Sequence, residues 1–203
     1  MINVPEGRMV DSAFTNTLER GLPMCTFIFD NRFFEALREI DLEHTKGIKA
    51  DSCPHCGGVL DVSNYPRKPR GLRKGEDFEC RRFSFCCRKC RKRLTPQSVR
   101  FLGRKVYVGS VVILAMSEAW LRTMCDQICR QTLRRWKRYW ADVLGRSSRF
   151  WKKAKARLSP GFEANGSPIS IVEYFLKNHQ NKETAFTKCL EFFSPLSVLK
   201  FSG

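Results

Sequence analysis

Two pairs of cysteines carry the reactive chemistry of this sequence: Cys53 and Cys56 in "DSCPHCGG", and Cys87 and Cys90 in "CCRKC". A C-x2-C pair alone is ambiguous, because thiol–disulfide exchange and half of a tetrahedral metal site use the same spacing. The second pair gives C-x2-C-x30-C-x2-C, four soft thiolates that an intervening hairpin can fold around one structural Zn2+. Gly57 and Gly58 follow the first pair directly, and glycine there lets the backbone turn with positive φ and aim amides at sulfur. A redox C-P-H-C belongs at the start of a helix, where the helix N-terminus lowers the thiol pKa. "GGVLDV" is a poor helix start and a good strand. The second turn has Arg91 where a glycine is expected. Cys86 and His55 are alternative donors. Cys25, Cys80, Cys125, Cys129 and Cys189 read as small buried residues or surface thiols.

The cysteines sit in strongly basic chain. The net charge is +17, from 37 Lys+Arg and 20 Asp+Glu. Residues 53–157 hold 27 basic and 7 acidic side chains (net +20), against 6 and 9 in residues 1–52 and 4 and 4 in residues 158–203. Between positions 81 and 107 there are cations and no acids: Arg81, Arg82, Arg88, Lys89, Arg91, Lys92, Arg93, Arg100, Arg104 and Lys105. A small metal-held module has almost no interior to hide them in, so the expected use is phosphate contact. "YPRKPRG" adds Arg67, Lys68 and Arg70 on a proline-stiffened loop.

Further along, "ICRQTLRRWKRYWADVL" places Leu133, Trp136, Trp140 and Leu144 on one helical stripe. The opposite surface carries Arg130, Gln131, Thr132, Arg134, Arg135 and Arg138, side chains suited to phosphate and base-edge contacts in a major groove. The preceding "WLRTMCDQI" would then be the supporting helix and turn.

These groups must be positioned by a fold that is mainly α with a small β zinc ribbon, followed by a helix-turn-helix-like helical domain. Residues 1–50 read as a helical segment, with Phe33, Phe34, Leu37 and Ile40 near helical spacing. Residues 51–106 read as the ribbon, with strands in "GVLDVSNY" and "DFECRRFSF". Residues 107–157 read as about three helices, and residues 158–203 as a closing helical hairpin after the Gly/Pro-rich "LSPGFEANGSP". The apolar fraction of 42% supports a real core. No secretory leader pattern is present, and the longest apolar run, "VVILAM", is far short of the roughly 20 residues of a membrane span. The expected setting is cytoplasmic and nucleoid-associated, where thiols and metal ligands are favoured over disulfides.

Across "CPHCGG…YPRKPRG…RRFSFCCRKCRKRLTPQSVRFLGRKVY…CRQTLRRWKRYW", roughly residues 50–157, the chain resembles zinc-ribbon plus helix-turn-helix proteins of bacterial insertion sequences and related mobile elements. The resemblance implies Cys53, Cys56, Cys87 and Cys90 as metal ligands, and Arg130, Gln131, Thr132, Arg134 and Arg135 on a recognition helix. It also implies a role beside a transposase. The chain lacks the carboxylate triad of two-metal strand transfer on an adequate α/β scaffold, and His44, His55 and His179 stand isolated. The expectation is therefore a non-catalytic, zinc-containing protein that binds double-stranded DNA. The alternatives are RNA or single-strand binding with Phe83 and Phe85 stacking bases, and a thiol oxidoreductase at Cys53 and Cys56.

Overall fold

The computed structural model describes residues 27–50, 52–66, 81–102, 107–117 and 128–198. Helices dominate, and the strands are short and antiparallel. In the cysteine-bearing module, β1 (Leu60–Val62), β2 (Tyr65–Pro66), β3 (Arg81–Arg82), β4 (Phe85–Cys87) and β5 (Arg93–Leu94) follow in chain order. Pairing joins β1, β4 and β5 into one sheet and β2 with β3 into a ribbon. The register sets Leu60 opposite Cys87 and Val62 opposite Phe85. Strand alternation sends Phe85 and Cys87 inward and Cys86 toward the other face. The module's interior is small: Cys53, Leu60, Phe85 and Cys87, flanked by Ile48, Cys56, Cys90 and Leu94.

A second, far larger hydrophobic cluster holds the helical body together. It begins with α1 (Asn31–Ala50). The Asp30 carboxylate accepts the Arg32 backbone N–H at 2.8 Å and starts this helix. Phe33, Phe34 and Leu37 then bury one face, as their spacing requires. β6 (Phe101–Leu102) pairs with β7 (Tyr107–Val108), and this hairpin leads into α2 (Gly109–Leu114), which is buried throughout. A side chain at Gly109 would meet the Val99 carbonyl at 3.1 Å, so the helix enters the core at a residue with no Cβ.

Helices α3 (Arg130–Val143) and α4 (Arg149–Ala154) follow, then a 3-10 turn at Lys155–Arg157. The Ser148 hydroxyl caps α4 by accepting the Trp151 N–H. The chain closes with α5 (Pro168–Asn178) and α6 (Lys182–Phe193), capped by Ser167 and Asn181, and a 3-10 turn at Ser194–Ser197. These two helices pack against each other. Trp140 is fully buried, stands edge-on to Phe193 at 4.9 Å and donates its indole N–H to the Val112 carbonyl at 3.2 Å. The cluster thus draws on α1, on α2 to α4 and on α5 to α6 alike. Val99, Phe101 and Leu102 belong to it as well, so it unites side chains from all four segments expected from the sequence.

Between the module and the body lies a buried polar junction, and it corrects one sequence reading. Arg82 and Arg100, counted among the phosphate-contacting cations, are 7% and 1% exposed. The Asp41 carboxylate, itself 1% exposed, accepts the Arg100 Nε–H at 2.7 Å, the Val99 N–H at 2.7 Å and the Ser98 hydroxyl at 2.6 Å. A second Arg100 nitrogen donates to the Arg81 carbonyl at 3.0 Å. Arg82 donates to the Pro96 carbonyl at 2.8 Å. Both guanidiniums are consumed in joining the module to the helices, because a buried cation is tolerated only with its partners in place.

Candidate metal centre

The two C-x2-C turns have the same hydrogen-bond plan. In the first, the Cys53 carbonyl accepts the Cys56 N–H at 3.2 Å and the Gly57 N–H at 2.8 Å, while the Cys53 N–H donates to the Gly58 carbonyl at 2.9 Å. In the second, the Cys87 carbonyl accepts the Arg91 N–H at 3.0 Å, and the Cys87 N–H donates to the Lys92 carbonyl at 3.0 Å. Gly57 has φ +67° and Arg91, its counterpart, φ +58°. The missing glycine of the second turn therefore leaves the turn shape unchanged and puts an L-residue in the left-handed region. Gly58 serves a different need: a Cβ there would meet the Cys87 Sγ and the Lys89 Cβ, each at 3.0 Å. The second turn can approach the first only over a bare backbone.

The β1–β4 pairing closes the two turns on each other, and the ligand atoms of Cys53, Cys56, Cys87 and Cys90 all lie within 4.8 Å of one another. Sulfurs approach closely across the turns, Cys53 to Cys90 at 3.7 Å and Cys56 to Cys87 at 3.5 Å. A zinc–sulfur bond of about 2.3 Å in a tetrahedron implies sulfur–sulfur edges of about 3.8 Å, so the donor set fits a tetrahedral ion. His55 is exposed, and the Cys86 Sγ faces the Arg91 and Cys87 carbonyls instead of the cluster.

Electrostatics point the same way. The Cys90 N–H bonding to its sulfur, against the opposing cost of burial, brings the Cys87 thiol down to about 6. Cys90 is pushed up to about 12: the Lys92 N–H favours its thiolate, but burial and the thiols of Cys56, Cys87 and Cys53 outweigh it. Four sulfurs this close do not all ionise unaided, since each thiolate raises the cost of the next. A divalent cation at their centre removes that conflict. The cluster could hold a metal ion.

No family model, curated protein or solved structure matches this chain.

The cations expected at phosphate differ in what the fold asks of them. On the second turn Arg88, Lys89, Arg91, Lys92 and Arg93 are all exposed. Arg88 pairs with Asp61 at 2.7 Å and holds that carboxyl below its ordinary range, a contact worth little at an exposed site. Arg93 lies over the Tyr65 ring at 4.8 Å. Lys89 and Lys92 make no ion pair among the described residues. On α3, Trp136 and Trp140 are buried and Leu133 half-buried, while Arg130, Gln131, Arg134, Arg135, Lys137 and Arg138 are exposed and Thr132 partly so. The Cys129 thiol precedes this helix, and the Thr132 hydroxyl bonded to it at 3.1 Å lowers its pKa.

Arg67, Lys68, Arg70, Arg104 and Lys105 lie outside the described residues, as does nearly all of "WLRTMCDQI". Phe85 is 3% exposed in the module's own core, which removes it as a base-stacking platform. Phe83 lies against the Arg100 guanidinium at 5.1 Å. The sequence reading missed Arg146, Arg149, Lys152, Lys153 and Lys155, all exposed. Their signal was the lack of any Asp or Glu from position 143 to 162.

Proposed function

We propose that this chain is a non-catalytic, zinc-containing protein that binds double-stranded DNA. The zinc is structural, held one per chain by Cys53, Cys56, Cys87 and Cys90, and it supplies a tetrahedral cross-link between two turns that have little core beneath them. The DNA contacts come from the second turn and from the outer face of α3, with Arg67, Lys68, Arg70, Arg104 and Lys105 on the connecting segments.

One observation carries the reading. The outer face of α3 displays Arg130, Arg134, Arg135, Lys137 and Arg138 with no ion pair among the described residues, on a helix anchored by two buried tryptophans. Rigid display of unpaired cations of one sign is what a polyphosphate requires. Thiol–disulfide exchange at Cys53 and Cys56 is disfavoured because Cys87 and Cys90 join them in one four-sulfur cluster, and a redox pair has no use for two further thiols. Single-strand stacking is disfavoured by the burial of Phe85. The resemblance to insertion-sequence proteins adds a context for this binding: an accessory or regulatory role in transposition, beside a transposase, with α3 as the recognition helix of a helix-turn-helix.

The test is equilibrium binding of the zinc-loaded chain to duplex DNA over a range of salt, with a single strand and a structured RNA of equal length as competitors. Affinity should fall steeply with salt, by close to one unit of log–log slope per phosphate neutralised. An affinity unchanged between low and moderate salt refutes the reading, and preference for RNA redirects it.

A further inference from the structure

Resting on the reading of a phosphate-binding chain, we infer that α4 with its 3-10 extension is a second, independent contact surface for the phosphodiester backbone of the same nucleic acid. Trp151, Ala154 and Leu158 are buried on the core side of this element, and Phe150 packs edge-on against Phe192 at 5.9 Å. The outer side carries Arg149, Lys152, Lys153 and Lys155, all exposed, and Arg146 stands just before it. None of these five is in an ion pair among the described residues, and no acid occurs from position 143 to 162.

The comparison within the molecule is what separates this surface from an ordinary solvated face. On α1 and α6, by contrast, cations are matched one turn away: Arg38 with Glu35, Lys46 with Glu43, and Lys188 with Glu191. Along α4 the same spacings join like charges, Arg149 to Lys152 and Lys153, and Lys152 to Lys155. Like-charge pairs at these spacings oppose the helix by about as much as opposite pairs support it, roughly 0.2–0.5 kcal/mol each. The helix is held against that repulsion by its buried face, and a phosphate backbone relieves it. Beside it a groove of about 380 Å³ is lined by Arg146, Lys152 and Lys155, with Trp151 and Phe162 as apolar wall and Glu163 as the one acid. Three cations around a groove of this size can seat a backbone phosphate.

The experiment compares the full zinc-loaded chain with the triple variant Arg149→Gln, Lys152→Gln, Lys155→Gln on one duplex DNA fragment, reading the salt dependence of affinity and the thermal midpoint at low salt. The expected result is a log–log slope shallower by about 2 to 3, at close to 0.9 per lost phosphate contact, with a midpoint equal to or above that of the parent. The single variant Lys152→Gln, at a fully surface position, should lose about 0.9 and keeps the test valid if the triple variant folds poorly. An unchanged slope in either variant overturns the inference while the parent's own steep slope leaves DNA binding through α3 standing. A parent with no salt-dependent binding removes both.

Discussion

At the scale of single residues, the four-cysteine cluster is shaped by three backbone positions as much as by its sulfurs. Gly57 and Arg91 hold the left-handed conformation at the same place in two matching turns, and Gly58 leaves room for Cys87. An L-residue in that region costs about 1–2 kcal/mol, while a glycine adds back about 0.5–1 kcal/mol of unfolded-state entropy. Arg91→Gly should therefore stabilise the zinc-bound chain by on the order of 0.5–1 kcal/mol, seen as a higher thermal midpoint. The same change should weaken DNA binding, because it removes an exposed cation. Opposite signs in the two measurements identify a residue kept for contact at the expense of turn stability; a loss of stability instead would show that the Arg91 side chain supports the fold. The two glycines were legible from spacing alone. Their separate duties were not, since close approach of Lys89 to Gly58 is a relation between turns far apart in sequence.

Among elements, the informative pairing is α1 with the segment 98–100 that leads into β6. Helix α1 is tied into the body by Asp41, which accepts hydrogen bonds from Ser98, Val99 and Arg100 and neutralises the buried guanidinium. Asp41→Asn leaves that cation without its counter-ion, and breaking a buried pair on one side costs about 3–5 kcal/mol. Chemical denaturation should register a loss of that size. Combining it with Arg100→Met should recover much of the loss, because the uncompensated charge is then gone. A loss below about 1 kcal/mol for Asp41→Asn would mean that water reaches Arg100. Helix periodicity correctly placed Phe33, Phe34 and Leu37 inside α1 and Trp136 and Trp140 inside α3. It said nothing of Asp41, because one acid on an apolar face has no periodic signature.

For the molecule as a whole, stability is divided between two interiors of unequal size. The helical body has a broad aromatic core that includes Trp136, Trp140 and Trp151, whereas the module's hydrophobic cluster has four buried residues, two of them candidate ligands. Removing metal with a chelator should therefore release close to one zinc and abolish the strand signal of the module, while the emission of the body's tryptophans stays at its buried wavelength. A simultaneous red shift would show that the Asp41–Arg100 and Arg82 contacts make the two interiors one cooperative unit.

No described helix is long and apolar enough to cross a membrane, and the excess of cations falls on surfaces the two interiors leave outside. By itself the sequence determined the four clustered cysteines, the predominance of helix over a little antiparallel strand, and the buried stripe of α3, because ligand spacing and apolar period are local properties of a chain. Only the tertiary structure decided which arginines stay exposed and which, like Arg82 and Arg100, are bound within the fold. Charge is written in composition, but exposure depends on which distant elements close over it.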